Sequence, residues 1–394
     1  MHNKTILITG IDKINVKAGG VHRISKMLME HLPQYGFKCL YLAKEYNAPK
    51  YYINNDLIPE NLVDIERLRN YVLEEQIDII LDQQSVFSDE FASVYEQLGC
   101  PSVKYLTMYH STPLIFAKLF NRARIWDLFL TANSAFTRVT TLGKWLFYPI
   151  WKRWMNAGCR KKYLHNYNVS DRTILLSEGD RQAFASYVGL KESSKCVVIN
   201  NPLSFEKVET EDCLLHKKNE VLIVSRLNNF EKRLDRALKI WKILQNRGLT
   251  DVWHLTIVGW GLQEQMLHDL SKKLSLKNVT FVGRQDPEEY YHSASLFMLT
   301  SAVEGWGLTL TESMQTGVVP LAFDSYPALK SIVTDGYDGC IIEDDNLEAY
   351  ADRMEYLMTH QQERERMAKN GLESCKRFTI DKIVAQWVDM MNGL

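Results

Sequence analysis

Glu304 and Glu312 bracket the stretch "EGWGLTLTE", with Gly305, Trp306 and Gly307 opening it. A carboxylate accepts two hydrogen bonds and so suits neighbouring hydroxyls, as on a ribose or a hexose. The preceding "SLFMLTS" reads as a buried strand, and "TLTESMQTG" begins a helix that Gly317 ends. Glycines at 305 and 307 allow a backbone path that other residues would obstruct. That path would set N–H groups of the loop and helix start against an anion. Glu304 precedes the turn and Glu312 lies inside the helix, so they share no helical face and would reach different parts of one elongated ligand. A plain turn remains open, with Glu304 exposed and Glu312 capping or pairing with a nearby base.

A second constellation lies in "VSRLNNFEKRLDRALKIW". Arg226 closes a strand, Asn228 or Asn229 suits an N-cap, and Lys232 sits in or near the first turn of a helix. The core face of that helix is Leu234, Ala237, Leu238, Trp241 and Leu244. A lysine at the positive end of a helix is locally unfavourable, and an anion between Arg226 and Lys232 would remove the conflict. A diphosphate wants both cations and free N–H groups. A solvated basic surface fits the same residues, since Arg233 and Arg236 follow closely.

Two weaker signals stand in the first half. Gly19 and Gly20 in "AGGVHRISKMLMEHL" precede a helix whose Val21, Ile24, Leu28 and Leu32 form an apolar face. Such a pair lets backbone approach a phosphate at a helix N-terminus, or it makes a tight turn. His110 in "LTMYHSTP" ends a probable strand, which is a functional position in an open α/β sheet. There it could donate to a substrate oxygen, or satisfy a buried carbonyl.

The elements that must carry these residues follow from the pattern of the whole chain. Its 394 residues exceed one ordinary core and predict two α/β domains. Expected strands are "KTILITG", "FKCLYLA", "IDIILD", "SVKYLTMYH", "DLFLTA", "TILLS" and "KCVVIN", then "EVLIVS", "HLTIVG", "VTFVG", "SLFMLTS", "VVPLAF" and "GCII". Continuous apolar strands alternating with helices predict parallel sheets covered on both faces. The polar, Pro202-bearing segment near 201–219 reads as an interdomain linker. A ligand belongs beyond the carboxyl ends of the strands, in a cleft between the domains. In the last helix Ile380, Ile383, Val384, Trp387, Val388 and Met391 form one stripe that could dock back on the first domain.

The totals exclude several classes. A net charge of -1 gives no global reason to expect nucleic acid. Seven scattered cysteines without a C-x-x-C pair argue against a disulfide framework or a zinc site, and fit a reducing compartment. No stretch of eighteen apolar residues occurs and "MHNKTILITG" lacks a signal-peptide pattern, so the expected location is the cytoplasm.

Taken together, "VGRQDPEEYYHSASLFMLTSAVEGWGLTLTESMQTG" resembles the donor-binding signature of retaining glycosyltransferases with the GT-B fold, family 4 or group 1. That group has two acids separated by seven residues, as Glu304 and Glu312 are. The Gly-Gly loop, the Arg–Lys pair, the "IVGWG" turn and the strand-end histidine follow in the family's order. The resemblance implies two Rossmann-like doubly wound domains: 1–205 on the acceptor side, 206–377 binding the nucleotide sugar, and a helix at 378–394 returning to the first. It implies that Glu312 holds the ribose and Glu304 the sugar hydroxyls, with Trp306 a packing wedge. Arg226 and Lys232 would neutralise the diphosphate, helped by amides at Gly20 and around Gly307, Leu308 and Thr309. The main chain near Arg284 would receive the base, Gly259 and Gly261 would give it room, and His110 would face sugar and acceptor. It further implies transfer of a hexose-type sugar from a UDP- or GDP-linked donor with retained configuration. No metal is expected, no other cofactor, and no D-x-D motif is present. The acceptor would be a glycan or lipid-linked glycan, in cell-surface polysaccharide or lipopolysaccharide synthesis.

The sequence departs from the family in three places. Trp306 replaces the commoner Phe, Lys232 follows Arg226 by six residues instead of five, and "DSYPALKSIV" replaces the usual Gly-Gly and Glu. On the acceptor side, residues 145–165 mix aromatics with Lys152, Arg153, Arg160, Lys161 and Lys162, which suits the cytoplasmic face of a membrane. A partly buried helix with a basic edge is the other reading, and Pro149 interrupts it. A nicotinamide-dependent oxidoreductase would need G-x-G-x-x-G after the first strand, and "TGIDKINVKAGG" lacks it. A nucleotide-sugar epimerase and a non-catalytic sugar-nucleotide-binding protein stay as alternatives on the same fold.

Overall fold

Fourteen short strands, each followed in most cases by a helix, build two sheets among the residues described in a computed structural model. Those residues are 4–15, 19–44, 51–58, 64–83, 89–132 and 134–394. The chain divides into two units, Met1–Pro202 with Ile380–Leu394, and Leu203–Thr379.

The first unit carries β1 (Lys4–Ile11), β2 (Phe37–Lys44), β3 (Tyr51–Ile53), β4 (Asp56–Ile58), β5 (Ile77–Asp82), β6 (Lys104–Met108), β7 (Arg172–Leu175) and β8 (Cys196–Val198). Their order is β4-β3-β2-β1-β5-β6-β7-β8. All pair in parallel from β2 to β8, but β3 and β4 pair antiparallel at the edge, where an all-parallel sheet was expected. The cause is the turn Asn54–Asn55, with φ of 50° and 74°. Asparagine tolerates the left-handed region, and a two-residue turn of that hand matches the twist of a hairpin. The run "DLFLTA" is also not a strand. It ends the helix Arg122–Leu130, which Asn121 caps through Arg124 N at 2.9 Å. Only Ile125 of that helix is buried, whereas a strand in this sheet would be covered on both faces. The final helix Ile380–Asn392 buries Ile383, Val384, Trp387 and Met391 in this unit, and Lys4 Nζ donates to Met391 O at 2.7 Å.

The second unit carries β9 (Glu220–Val224), β10 (His254–Val258), β11 (Val279–Gly283), β12 (Leu296–Leu299), β13 (Val319–Phe323) and β14 (Cys340–Ile342). The six pair in parallel in the order β11-β10-β9-β12-β13-β14. Helix Leu234–Asn246 buries Leu234, Ala237, Leu238, Trp241 and Leu244, the stripe its spacing predicted. The polar segment after Pro202 belongs to this unit. Gln315 holds it by accepting from Phe205 N and donating to Phe205 O and Lys207 O.

Candidate active site

In each sheet the strand order reverses beside its first strand, between β9 and β12 in one unit and between β1 and β5 in the other. At such a point the connections leave in opposite directions and open a crevice at the carboxyl ends of the strands. Most of the sequence-predicted residues follow strands at or beside these two points, whereas Arg284 follows the edge strand β11.

In the second unit Arg226 and Lys232 follow β9 and Glu304 follows β12. Lys232 Nζ lies 2.6 Å from Glu304 Oε1, and their side chains are only 15% and 13% exposed. Ser301 Oγ donates to the same carboxylate oxygen at 2.7 Å. The backbone closes the same seam, because Thr300 Oγ1 donates to Lys232 O at 3.0 Å and Ala302 N to Glu231 O at 2.8 Å. Lys232 is not in the helix Leu234–Asn246. It ends a separate turn, Asn229–Lys232, and Arg233 adopts φ 48° between the two. Both asparagines are used: Asn228 accepts from Phe230 N, and Asn229 accepts from Asp235 N at 2.8 Å. Arg226 pairs with Glu231 at 3.2 Å, but at 70% exposure water screens that pair heavily. Each cation thus already faces a carboxylate, and Glu231 and Ser301 are partners that the sequence reading missed. Ser301 stands three residues before Glu304, a spacing that a turn can close.

Gly307 has φ 95° and begins the helix Leu308–Gln315. The first N–H groups of this helix, at Leu308 and Thr309, have no acceptor within it. Gly305 takes an ordinary backbone conformation, so the special geometry belongs to Gly307. Trp306 is buried and meets Phe378 edge-on at 5.1 Å, as a wedge would. Glu312 is buried, and Tyr291 OH donates to its Oε2 at 3.1 Å. Tyr291 OH also lies 3.3 Å from Thr309 O, tying the helix start to the carboxylate. Gly259 and Gly261 differ from the room-giving role expected of them. A Cβ on Gly259 would fall 1.7 Å from Ser225 O, and one on Gly261 2.6 Å from Leu227 O. These glycines let two chain segments touch, with no open space on their Cβ side. Arg284, just past β11, stacks its guanidinium on the Trp260 ring at 5.3 Å.

In the first unit Gly19 is the N-cap of helix Gly20–His31 at φ 151°, with open space where a side chain would stand. That helix has no acid in its first turn and no side-chain cap. His110, just past β6, is linked to it. Its Nε2 lies 2.9 Å from Gln83 Oε1, Gln83 Nε2 donates to Ser25 Oγ at 3.0 Å, and Ser25 Oγ donates to Val21 O at 3.0 Å. Burial pushes the His110 imidazole down to about 4, so it is neutral near pH 7. Gln83 and Ser25 carried no motif, and only the position of Gln83 after β5 marks it.

Residues 207–374 match the family described as Glycosyl transferases group 1. The chain is 26% identical over 243 residues to the amylovoran biosynthesis glycosyltransferase AmsD of Erwinia amylovora, covering 60% of this chain and 66% of that protein. It is 24% identical over 387 residues to an uncharacterized glycosyltransferase of Haemophilus influenzae, covering 94% and 95%. A Campylobacter jejuni enzyme, "GalNAc-alpha-(1->4)-GalNAc-alpha-(1->3)-diNAcBac-PP-undecaprenol alpha-1,4-N-acetyl-D-galactosaminyltransferase", is 26% identical over 227 residues, covering 57% and 61%. The chain therefore spans less than two thirds of the length of the first and third of these relatives. Among solved structures, Anabaena HepE in complex with UDP and glucose superposes with a TM-score of 0.69 at 14% identity, over 99% of this chain and all of that one. Sucrose-phosphate synthase from Thermosynechococcus elongatus gives 0.71 at 16% identity, over 99% and 98%. At these identities the likeness concerns the fold, which is that of two Rossmann-like α/β domains.

Proposed function

Starting from a chain whose residues 207–374 match the group 1 glycosyl transferases, we propose that it transfers a hexose-type sugar from a nucleoside-diphosphate donor to a glycan or lipid-linked glycan, with retained anomeric configuration and without a metal. The observation that carries this reading is the Lys232–Glu304 pair at the switch point between β9 and β12, beside the helix start at Gly307. A cation, the amides of a helix start and a hydroxyl-accepting carboxylate stand in neighbouring segments there. Leaving-group departure from a diphosphate needs the first two fixed in advance, because they stabilise growing negative charge without reorganising. In this reading Arg226 adds a second cation, and Glu312, held by Tyr291, takes the ribose. The main chain near Arg284 receives a uracil or guanine base. The names of the Erwinia and Campylobacter relatives support an acceptor in cell-surface polysaccharide or lipid-linked glycan synthesis.

The test is nucleotide release from a panel of UDP-, GDP- and ADP-sugars in the presence of EDTA. Slow release from one or two donors is expected, lost in Glu304→Ala and Lys232→Ala. Product NMR with and without acceptor separates transfer from epimerisation and reports the anomeric outcome. A panel in which no donor binds or turns over would remove this reading.

A further inference from the structure

Residues 97–170 contain eleven Lys and Arg but one acid, Asp127, in a chain whose net charge is -1. Most of that excess falls on three helices of the first unit, Arg122–Leu130, Ala135–Leu146 and Tyr148–Val169. Residues 145–165 are therefore not one helix. Leu146 ends the second and Pro149 lies in the first turn of the third, where its missing N–H costs nothing.

The structure divides the aromatic and basic residues of these helices into an inward and an outward set. Trp145 packs on Trp126, Trp151 on Phe120, and Tyr163 on Phe184. Lys152 is also internal, donating to the carbonyls of Ala117 and Phe120. The outward set is different. Phe136, Val139, Leu146, Phe147, Ile150 and Trp154 expose between 55% and 78% of their surface. Phe136, Val139 and Leu146 share one stripe of their helix, and Ile150 and Trp154 share one face of the next, with Phe147 at the junction. Arg138, Lys144, Arg153 and Lys161 of the same two helices are exposed as well.

We propose that this face lies on an anionic lipid bilayer, with the apolar strip inserted at the headgroup boundary and the basic residues against the phosphates. Charge complementarity selects this occupant. A second copy of the chain would set one cationic face against another, and protein interface cores are depleted in lysine. Bulky aliphatic side chains such as Val139, Leu146 and Ile150 offer nothing to stack on a base, whereas hydrocarbon accepts them. The proposal does not rest on the donor reading above.

The experiment is co-sedimentation of the full chain with vesicles of phosphatidylcholine, or of phosphatidylcholine with one quarter phosphatidylglycerol, at low and high salt. The expected result is binding to the anionic vesicles at low salt, weakened by salt. The variant Ile150→Ser/Trp154→Ser should bind at least about tenfold more weakly. Arg153→Glu/Lys161→Glu should also lose at least about tenfold, because each basic residue near such a surface contributes about fivefold. Leu262→Ser, at a fully exposed site in the second unit, should bind like the parent. Failure of the parent to bind anionic vesicles at low salt would overturn the proposal, as would equal binding by both double variants. A dimer seen by light scattering and lost in Ile150→Ser/Trp154→Ser would also overturn it, assigning the face to a second copy.

Discussion

Lys232 Nζ and Glu304 Oε1 meet at 2.6 Å across the seam between neighbouring strands β9 and β12. Neither strand supplies the contact directly, since both residues stand in the segments that leave the sheet. With both side chains mostly out of water, each charge depends on the other for compensation. A ligand carrying phosphate and hydroxyl groups would find a cation and an acceptor already ordered, which lowers the entropy cost of binding.

Breaking this pair should therefore destabilise the fold as well as abolish turnover. Lys232→Met and Glu304→Gln are each expected to lose about 2–4 kcal/mol in urea unfolding, because each strands a charge or a donor. The double variant should lose less than the sum, with a coupling of about 1–3 kcal/mol. Additive losses would mean that the two side chains act independently.

Glu312 and Tyr291 give a kinetic prediction. Removing the phenol in Tyr291→Phe takes a charge-assisted hydrogen bond from a buried carboxylate, at about 1.5–3 kcal/mol of stability. On the ribose reading, Glu312→Gln should raise the donor KM by more than it lowers kcat, and Tyr291→Phe should shift KM the same way by less. Steady-state kinetics with the donor found in the panel decides. A change confined to kcat would take Glu312 off the nucleotide.

His110 and Gln83 give a prediction about protons. Ser25 spends its hydroxyl hydrogen on Val21 O, so it can only accept from the Gln83 amide. Gln83 Oε1 then faces His110, whose Nε2 must donate, leaving Nδ1 as the acceptor toward a ligand. Nitrogen-15 NMR should find this tautomer with no titration between pH 5 and 8. Gln83→Leu should release it, and a dominant Nδ1–H form in the parent would contradict the assignment. Stability follows the same sign. The unfolded imidazole gains its proton near 6.5 and the folded one only near 4, so stability is full above 6.5 and falls as the pH drops through that window. The loss attributable to His110 is at most about 3 kcal/mol, and His110→Asn should flatten that part of the pH profile.

The glycines separate backbone need from ligand need. Gly259→Ala sets a Cβ against the Ser225 carbonyl, which has no freedom to move, and should leave little folded protein in thermal melts. Gly307→Ala forces φ 95° on a side chain that also meets the Tyr326 hydroxyl, and should cost about 1–3 kcal/mol. A Gly259→Ala protein as stable as the parent would show that the close approach to Ser225 is dispensable.

Much of this molecule was legible before any coordinates. All six strands of the second unit stand where short β-branched or apolar runs, alternating with longer helical patterns, placed them. The edge hairpin at Asn54–Asn55 was also within reach, since two turn-forming asparagines between short apolar runs are a local signal. "DLFLTA" was not, because a short apolar run reads alike as a strand or as a stretch of helix.

By itself the sequence determined which chemical groups are present and the order in which strands deliver them: Gly19, His110, Arg226, Lys232, Glu304 and Glu312. Residue type and local spacing suffice for that, since strand ends and helix starts are local events. Only the tertiary structure decided the pairings, setting Lys232 against Glu304, Tyr291 against Glu312 and Gln83 against His110. It also decided that Gly259 serves a backbone contact and that Trp154 faces outward while Trp151 packs inward. The physical reason is that a side chain's partner is set by which strands become neighbours. Strand order is a global property, reached only when the crossovers have closed over the sheet.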